Sequence, residues 1–68
     1  MSNYVERMKE EHKALKQKTD ALNAFIHTNE TFKTLDDLEQ VRMIKQVGFM
    51  EAYLATLESR IWVSVTPA

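Results

Sequence analysis

The sequence predicts an all-α fold, an antiparallel two-helix hairpin that assembles into an oligomeric helical bundle, and three observations predict it. Apolar residues recur at heptad spacing in two long stretches: Val5, Met8, Leu15, Leu22 and Ile26 in the first, then Met43, Val47, Met50, Leu54, Leu57 and Ile61. The two stretches use up most of the chain, and a seam of that length reads as too long for one partner helix. The chain has only 68 residues, fewer than the ~70 to 80 at which a single core usually suffices without a staple. Cysteine is absent, which excludes disulfides and thiolate metal sites. His12 and His27 are isolated and make no zinc site on their own. Self-association, as a dimer or tetramer, remains as the source of stability.

A single domain over residues 1–68 is expected, with helix one over about 3–27. Asn3 supplies a capping side chain and Glu6, three residues on, completes the capping-box spacing. Glu6 with Lys9, Glu10 with Lys13 and Lys16 with Asp20 sit where ion pairs form along one helix face. His12 and Thr19 fill the two rungs of the seam that lack an apolar residue. Such polar rungs either fix register and oligomer state or line a polar cavity at a subunit junction.

The connection is expected over 28–36, where the sequence turns polar and threonine-rich. Within it Phe32 and Leu35 read as a short turn whose apolar pair plugs the closed end. Helix two is expected over about 37–62, with Asp36 and Asp37 placing negative charge at its positive end and Glu39 paired with Arg42. Gly48, the only glycine, falls mid-helix at a cost of roughly 1 kcal/mol relative to alanine. It permits close approach of a partner helix or a ligand. The tail 63–68, Val63-Ser64-Val65-Thr66-Pro67-Ala68, is β-branched and ends near proline, so it reads as frayed or extended against a neighbour.

Function classes narrow quickly. The net charge is −1 and opposite charges interleave, so no DNA or RNA polymer footprint is visible. No run approaches the ~18 apolar residues of a membrane span, and a cytoplasmic protein is expected. There is no glycine-rich phosphate loop, no nucleophile beside a base and no closed carboxylate pair, so no enzyme, no catalytic residue, no metal and no cofactor is expected.

The chemistry that remains lies beside the seam. Tyr4, Glu11, Lys18 and Phe25 follow one edge of helix one at seven-residue steps, and Gln46, Tyr53 and Arg60 follow one edge of helix two. Arg7 lies one turn beyond Tyr4. Aromatic faces beside guanidinium groups suit a planar base carrying an anion, since the ring stacks while the arginine holds phosphate. In an antiparallel pair Tyr4, Arg7, Tyr53 and Arg60 are expected to converge at the open end, with Trp62 beside them. Each has a plainer role: Tyr4 as a hydrophobic staple, Arg7 as surface charge, Trp62 as an oligomer contact. Phe49, off the seam, is expected to meet another chain, and Met8, Met43 and Met50 to fill core space.

Read in order, Tyr4-x-x-Arg7, Leu15, Lys18, Leu22, Phe25-Ile26, Phe32-x-x-Leu35, Glu39, Met43, Gln46, Met50, Tyr53, Leu57 and Arg60-Ile61 resemble a family of very small helical-hairpin proteins of tailed bacteriophages, one related to a crAss-like phage protein. The likeness covers about residues 4 to 61. It is similar in size and shape to the phage anti-CBASS and anti-Thoeris sponges. The resemblance implies an anti-defence protein in the host cytoplasm that holds a cyclic oligonucleotide or cyclic ADP-ribose type signal between subunits without hydrolysing it. From their places within or beside the seam, the expected ligand-binding residues are Tyr4 and Tyr53 stacking on bases, Arg7 and Arg60 holding phosphates, and Lys18, His12 and Gln46 as secondary polar contacts. The rival readings are an oligomeric protein-binding module that blocks a host protein through Phe49, Trp62 and the tail, and a small phage assembly factor.

Overall fold

The structure, a computed structural model, describes residues 3–66. Its elements are α1 (Asn3–Thr28), α2 (Glu30–Thr34) and α3 (Asp37–Val65), with no strand among the described residues. The all-α class therefore holds. The molecule is a rod of 49 × 15 × 15 Å. Among the described residues, no helix is long and apolar enough to cross a membrane.

The two long helices run side by side in opposite directions, as three cross-pairs show. Tyr4 Oη lies 3.4 Å from Ser64 Oγ, His12 Nε2 lies 2.8 Å from Glu58 Oε2, and Asn23 Nδ2 donates to Glu51 Oε2 at 3.0 Å. As the number rises on α1 it falls on α3.

The heptad rungs face one another along this contact. Met8, Thr19, Val47 and Leu57 are buried, and Val5, His12, Leu15, Leu22, Ile26, Met43, Met50, Leu54 and Ile61 are half-buried. The seam is thus occupied within the chain along its whole length. This differs from the expectation of a seam too long for one partner helix: α1 and α3 are of matching length, 26 and 29 residues, so each rung finds a counterpart. What two helices fail to do is bury those rungs fully, because a pair without a third layer covers only one side of each.

α1 begins at Asn3, so the residue ahead of the helix lies outside the described residues. Glu6–Lys9 and Lys16–Asp20 close at 3.8 and 3.3 Å, whereas Glu10 and Lys13 do not reach ion-pair distance.

The connection is more ordered than a turn. Asn29, extended at φ −92° and ψ 126°, caps α2 by accepting from the Thr31 amide at 2.8 Å. This single turn buries Phe32, which meets Phe25 edge to face at 6.2 Å between centroids. With Leu35 half-buried beside it, the closed end is plugged as the sequence suggests. Asp36 then caps α3, accepting from the Leu38 amide at 3.0 Å. Gln40 ties the two elements together by donating to the Leu35 carbonyl at 2.9 Å.

α3 also runs past its expected end. Val63, Ser64 and Val65 are helical, not extended. β-branched residues cost only a few tenths of a kcal/mol each in a helix, and here Ser64 Oγ donates to the Arg60 carbonyl and Thr66 Oγ1 to that of Trp62, at 2.8 and 2.7 Å. Thr66, at φ −86° and ψ 128°, ends the helix, as the residue before a proline must. The last two positions of the expected tail lie outside the described residues.

Candidate functional site

The cross-pairs sort the flanks of the seam into two edges. Glu51 and Glu58, seven apart on α3, meet Asn23 and His12 on one edge. Gln46, Tyr53, Arg60 and Ser64 lie on the other, where Ser64 meets Tyr4. The seven expected site residues therefore do not share a side. Tyr4, Lys18, Gln46, Tyr53 and Arg60 belong to one edge, and Arg7 lies one turn from Tyr4. His12 belongs to the opposite edge, because its rung is rotated toward α3's glutamates.

The expected convergence at the open end is only partly realised. Tyr4 Oη reaches Ser64 Oγ, and that hydroxyl donates to the Arg60 carbonyl. Tyr4 thus meets the last turns of α3 at the rod's open end through Ser64 and the Arg60 backbone, with Arg7 one turn along α1, and neither guanidinium has a carboxylate within 4.0 Å among the described residues. Tyr53 does not join them. It sits roughly 16 Å back along α3 from Ser64, at about the level of Asp20 when the cross-pairs are interpolated. Helical rise, 1.5 Å per residue, is the reason: residues that share an edge at seven-residue steps are still two turns apart.

Tyr53 instead belongs to an open groove of about 470 Å³ lined by Arg42, Lys45, Gln46, Phe49, Met50 and Tyr53. These positions follow one another at three and four residues along α3, so one helix supplies the whole wall. Phe49 is 71% exposed and Tyr53 48%, so both present ring surface to solvent. Arg42 leans on Glu39 at 3.4 Å, an exposed pair that costs little to give up. Gln46 Nε2 has only the weak acceptor Met50 Sδ, at 3.9 Å. The groove thus offers two aromatic faces, two cations and an amide with spare hydrogen-bonding capacity. Arg42, Lys45 and Phe49 were not among the expected ligand-binding residues. With Gln46 and Tyr53, Arg42 and Phe49 repeat the seam's three-and-four spacing displaced by one position, whereas Lys45 lies off that series.

A second groove of about 400 Å³ lies on the other edge, lined by Lys9, His12, Glu58, Ile61, Trp62 and Val65. His12 contributes to it as a partner of Glu58. Thr19 lines neither groove: it is 2% exposed and its hydroxyl donates to its own helix at the Leu15 carbonyl, 2.7 Å away. No group of three or more His, Asp or Glu among the described residues is placed to hold a metal ion.

Taken together, this is a small all-α protein built on an antiparallel pair of long helices, with solvent-open grooves that put aromatic rings beside cationic side chains. The chain belongs to the Sequestin family, whose model matches residues 2–63. No curated protein and no solved structure matches it.

Proposed function

We propose that this protein is a phage immune-evasion sponge that binds a cyclic nucleotide second messenger and holds it, without hydrolysis, between subunits of a homo-oligomer in the host cytoplasm. The observation that carries the reading is the α3 groove, in which the exposed rings of Phe49 and Tyr53 stand beside Arg42 and Lys45. Stacking on rings and charge-assisted bonds to phosphate are the two interactions that a nucleotide needs. A family name that denotes sequestration is compatible with that use.

In this reading Tyr53 and Phe49 stack on bases, Arg42 and Lys45 hold phosphate, and Gln46 bonds a base edge. Lys18, Arg7, Arg60 and Tyr4 extend the same edge toward the open end. A single helix wall leaves one side of a ligand in water, and a second subunit would close it. A twofold assembly would offer each group twice, which suits a ligand with its own pseudo-twofold symmetry.

Thermal unfolding against cyclic dinucleotides, cyclic trinucleotides and cyclic ADP-ribose isomers tests this. A ligand at a hundred times its Kd adds about 2.7 kcal/mol, which for a domain of this size raises Tm by on the order of 10 °C. The ligand should be recovered unchanged after heat denaturation, and Tyr53→Ala or Arg42→Ala should abolish the shift. No stabilisation by any of these compounds would sink the proposal.

The exposure of Phe49 and of Trp62, 71% and 68%, favours a second reading, a module that blocks a host protein. Binding that survives Arg42→Ala and Lys45→Ala but not Phe49→Ala would point there.

A further inference from the structure

α3 carries a second apolar band that the chain leaves uncovered. Val41, Ile44, Gly48, Ala52, Ala55 and Trp62, with Ser59 between the last two, follow one another at three and four residues and so share one face. Gly48 comes one residue after the seam rung Val47 and Gln46 one before it. At 100° per residue the band and the nucleotide groove therefore flank the seam on opposite sides. The band residues are uncharged, with Lys45 and Glu51 at its two borders, and they run for roughly 30 Å. All of it is exposed: Val41 is 52%, Ile44 51% and Trp62 68% accessible, and a Cβ added at Gly48 would meet nothing within 4 Å.

Two quantities say what covers it. The accessible surface is 5268 Å², whereas a compact monomer of 7.9 kDa exposes about 4,400 Å². The excess is close to the ~800 Å² that each partner gives up in a standard protein interface. The order of residues along the band is also self-complementary. Val41 and Trp62, Ile44 and Ser59, and Gly48 and Ala55 are each equidistant from the midpoint between Glu51 and Ala52. Two copies laid antiparallel about that midpoint set large residues against smaller ones at the ends and small against small at the centre, where helix axes approach most closely.

We propose that a second copy of this chain packs antiparallel on the Val41–Trp62 band of α3, about a twofold axis beside Ala52. The heptad seam is then the contact within a chain and the band the contact between chains. Lys45, seven residues before Ala52, borders this interface, whereas Gln46 and Tyr53 lie on the far side of α3, so the subunit that closes the groove over a ligand belongs to a second such dimer.

Mass in solution and cysteine cross-linking test the proposal on the full chain. At about 100 μM, a concentration well within reach of standard-size interfaces, light scattering should give at least twice the mass of one chain. Gly48→Trp should lower it, with helical content by circular dichroism unchanged because the site is open within the chain. The protein has no cysteine of its own, so introduced thiols report directly. Under mild oxidation Gly48→Cys mixed with Ala55→Cys should form covalent dimers, and each alone should form few. A monomeric wild type, a Gly48→Trp protein of wild-type mass, or efficient cross-linking of each single variant with itself would each overturn the antiparallel band. A protein that passes these tests and binds no cyclic nucleotide would leave this interface standing and the sponge reading failed.

Discussion

Thr19 and Leu57 are the two most buried side chains among the described residues, at 2% and 1% exposure, and they hold the fold in different ways. Leu57 contributes apolar area to a core whose other buried apolar members are Met8, Phe32 and Val47. Leu57→Ala removes that area and leaves a cavity, at a cost of about 2 to 5 kcal/mol. A core this small supplies little more than that, so the variant should lose cooperative unfolding by circular dichroism. Thr19 presents a hydroxyl that is already satisfied by its own helix, and Thr19→Val keeps the shape while removing a bond that does not cross between helices. Its urea midpoint should correspond to a change within about 1 kcal/mol. A large loss in Thr19→Val would mean that the hydroxyl serves a partner in another chain, and would return this rung to the list of site residues.

At the scale of elements, the caps decide where each helix starts. Asp36 accepts from the Leu38 amide at 3.0 Å and precedes Asp37 and Glu39 in the first turn of α3. Asp36→Ala should cost about 1 kcal/mol, read as a lower Tm with unchanged helical content at low temperature, and Asp36→Asn should restore most of it. That start was legible because the cap chemistry is local. The seam was legible for the same reason: thirteen rungs follow one period, and every one of them is buried or half-buried. α2 was harder to read, because five residues are too few to show a period, and its existence depends on Phe32 finding Phe25. The last turn of α3 departs from the expected frayed or extended tail, which rests on Val63, Val65 and Thr66 favouring strands by type. Serine and threonine hydroxyls bonded to preceding carbonyls accompany that turn as it continues as helix. The groove was half legible: Gln46 and Tyr53 stand out by their seven-residue step, Arg42 and Phe49 only by the finer three-and-four spacing that joins them to that step, and Lys45 shares the face without joining the series.

For the molecule as a whole, a rod 49 Å long and 15 Å wide has too much surface for its volume. Among the described residues, nine large hydrophobics are exposed on it, from Tyr4 and Leu38 to Val63 and Val65. α3 therefore has more to bury than α1 can cover. Folding and association become one equilibrium under these conditions, since burial between chains contributes stability that burial within a chain lacks. Stability should then depend on protein concentration. A hundredfold rise in chain concentration should raise Tm by on the order of 10 °C, and Gly48→Trp should flatten that dependence while lowering Tm at high concentration to the dilute value. The measurement is differential scanning fluorimetry or circular dichroism melting over a dilution series. A Tm independent of concentration in the wild type would mean that one chain is stable alone, and the exposed band of α3 would then need a partner other than itself.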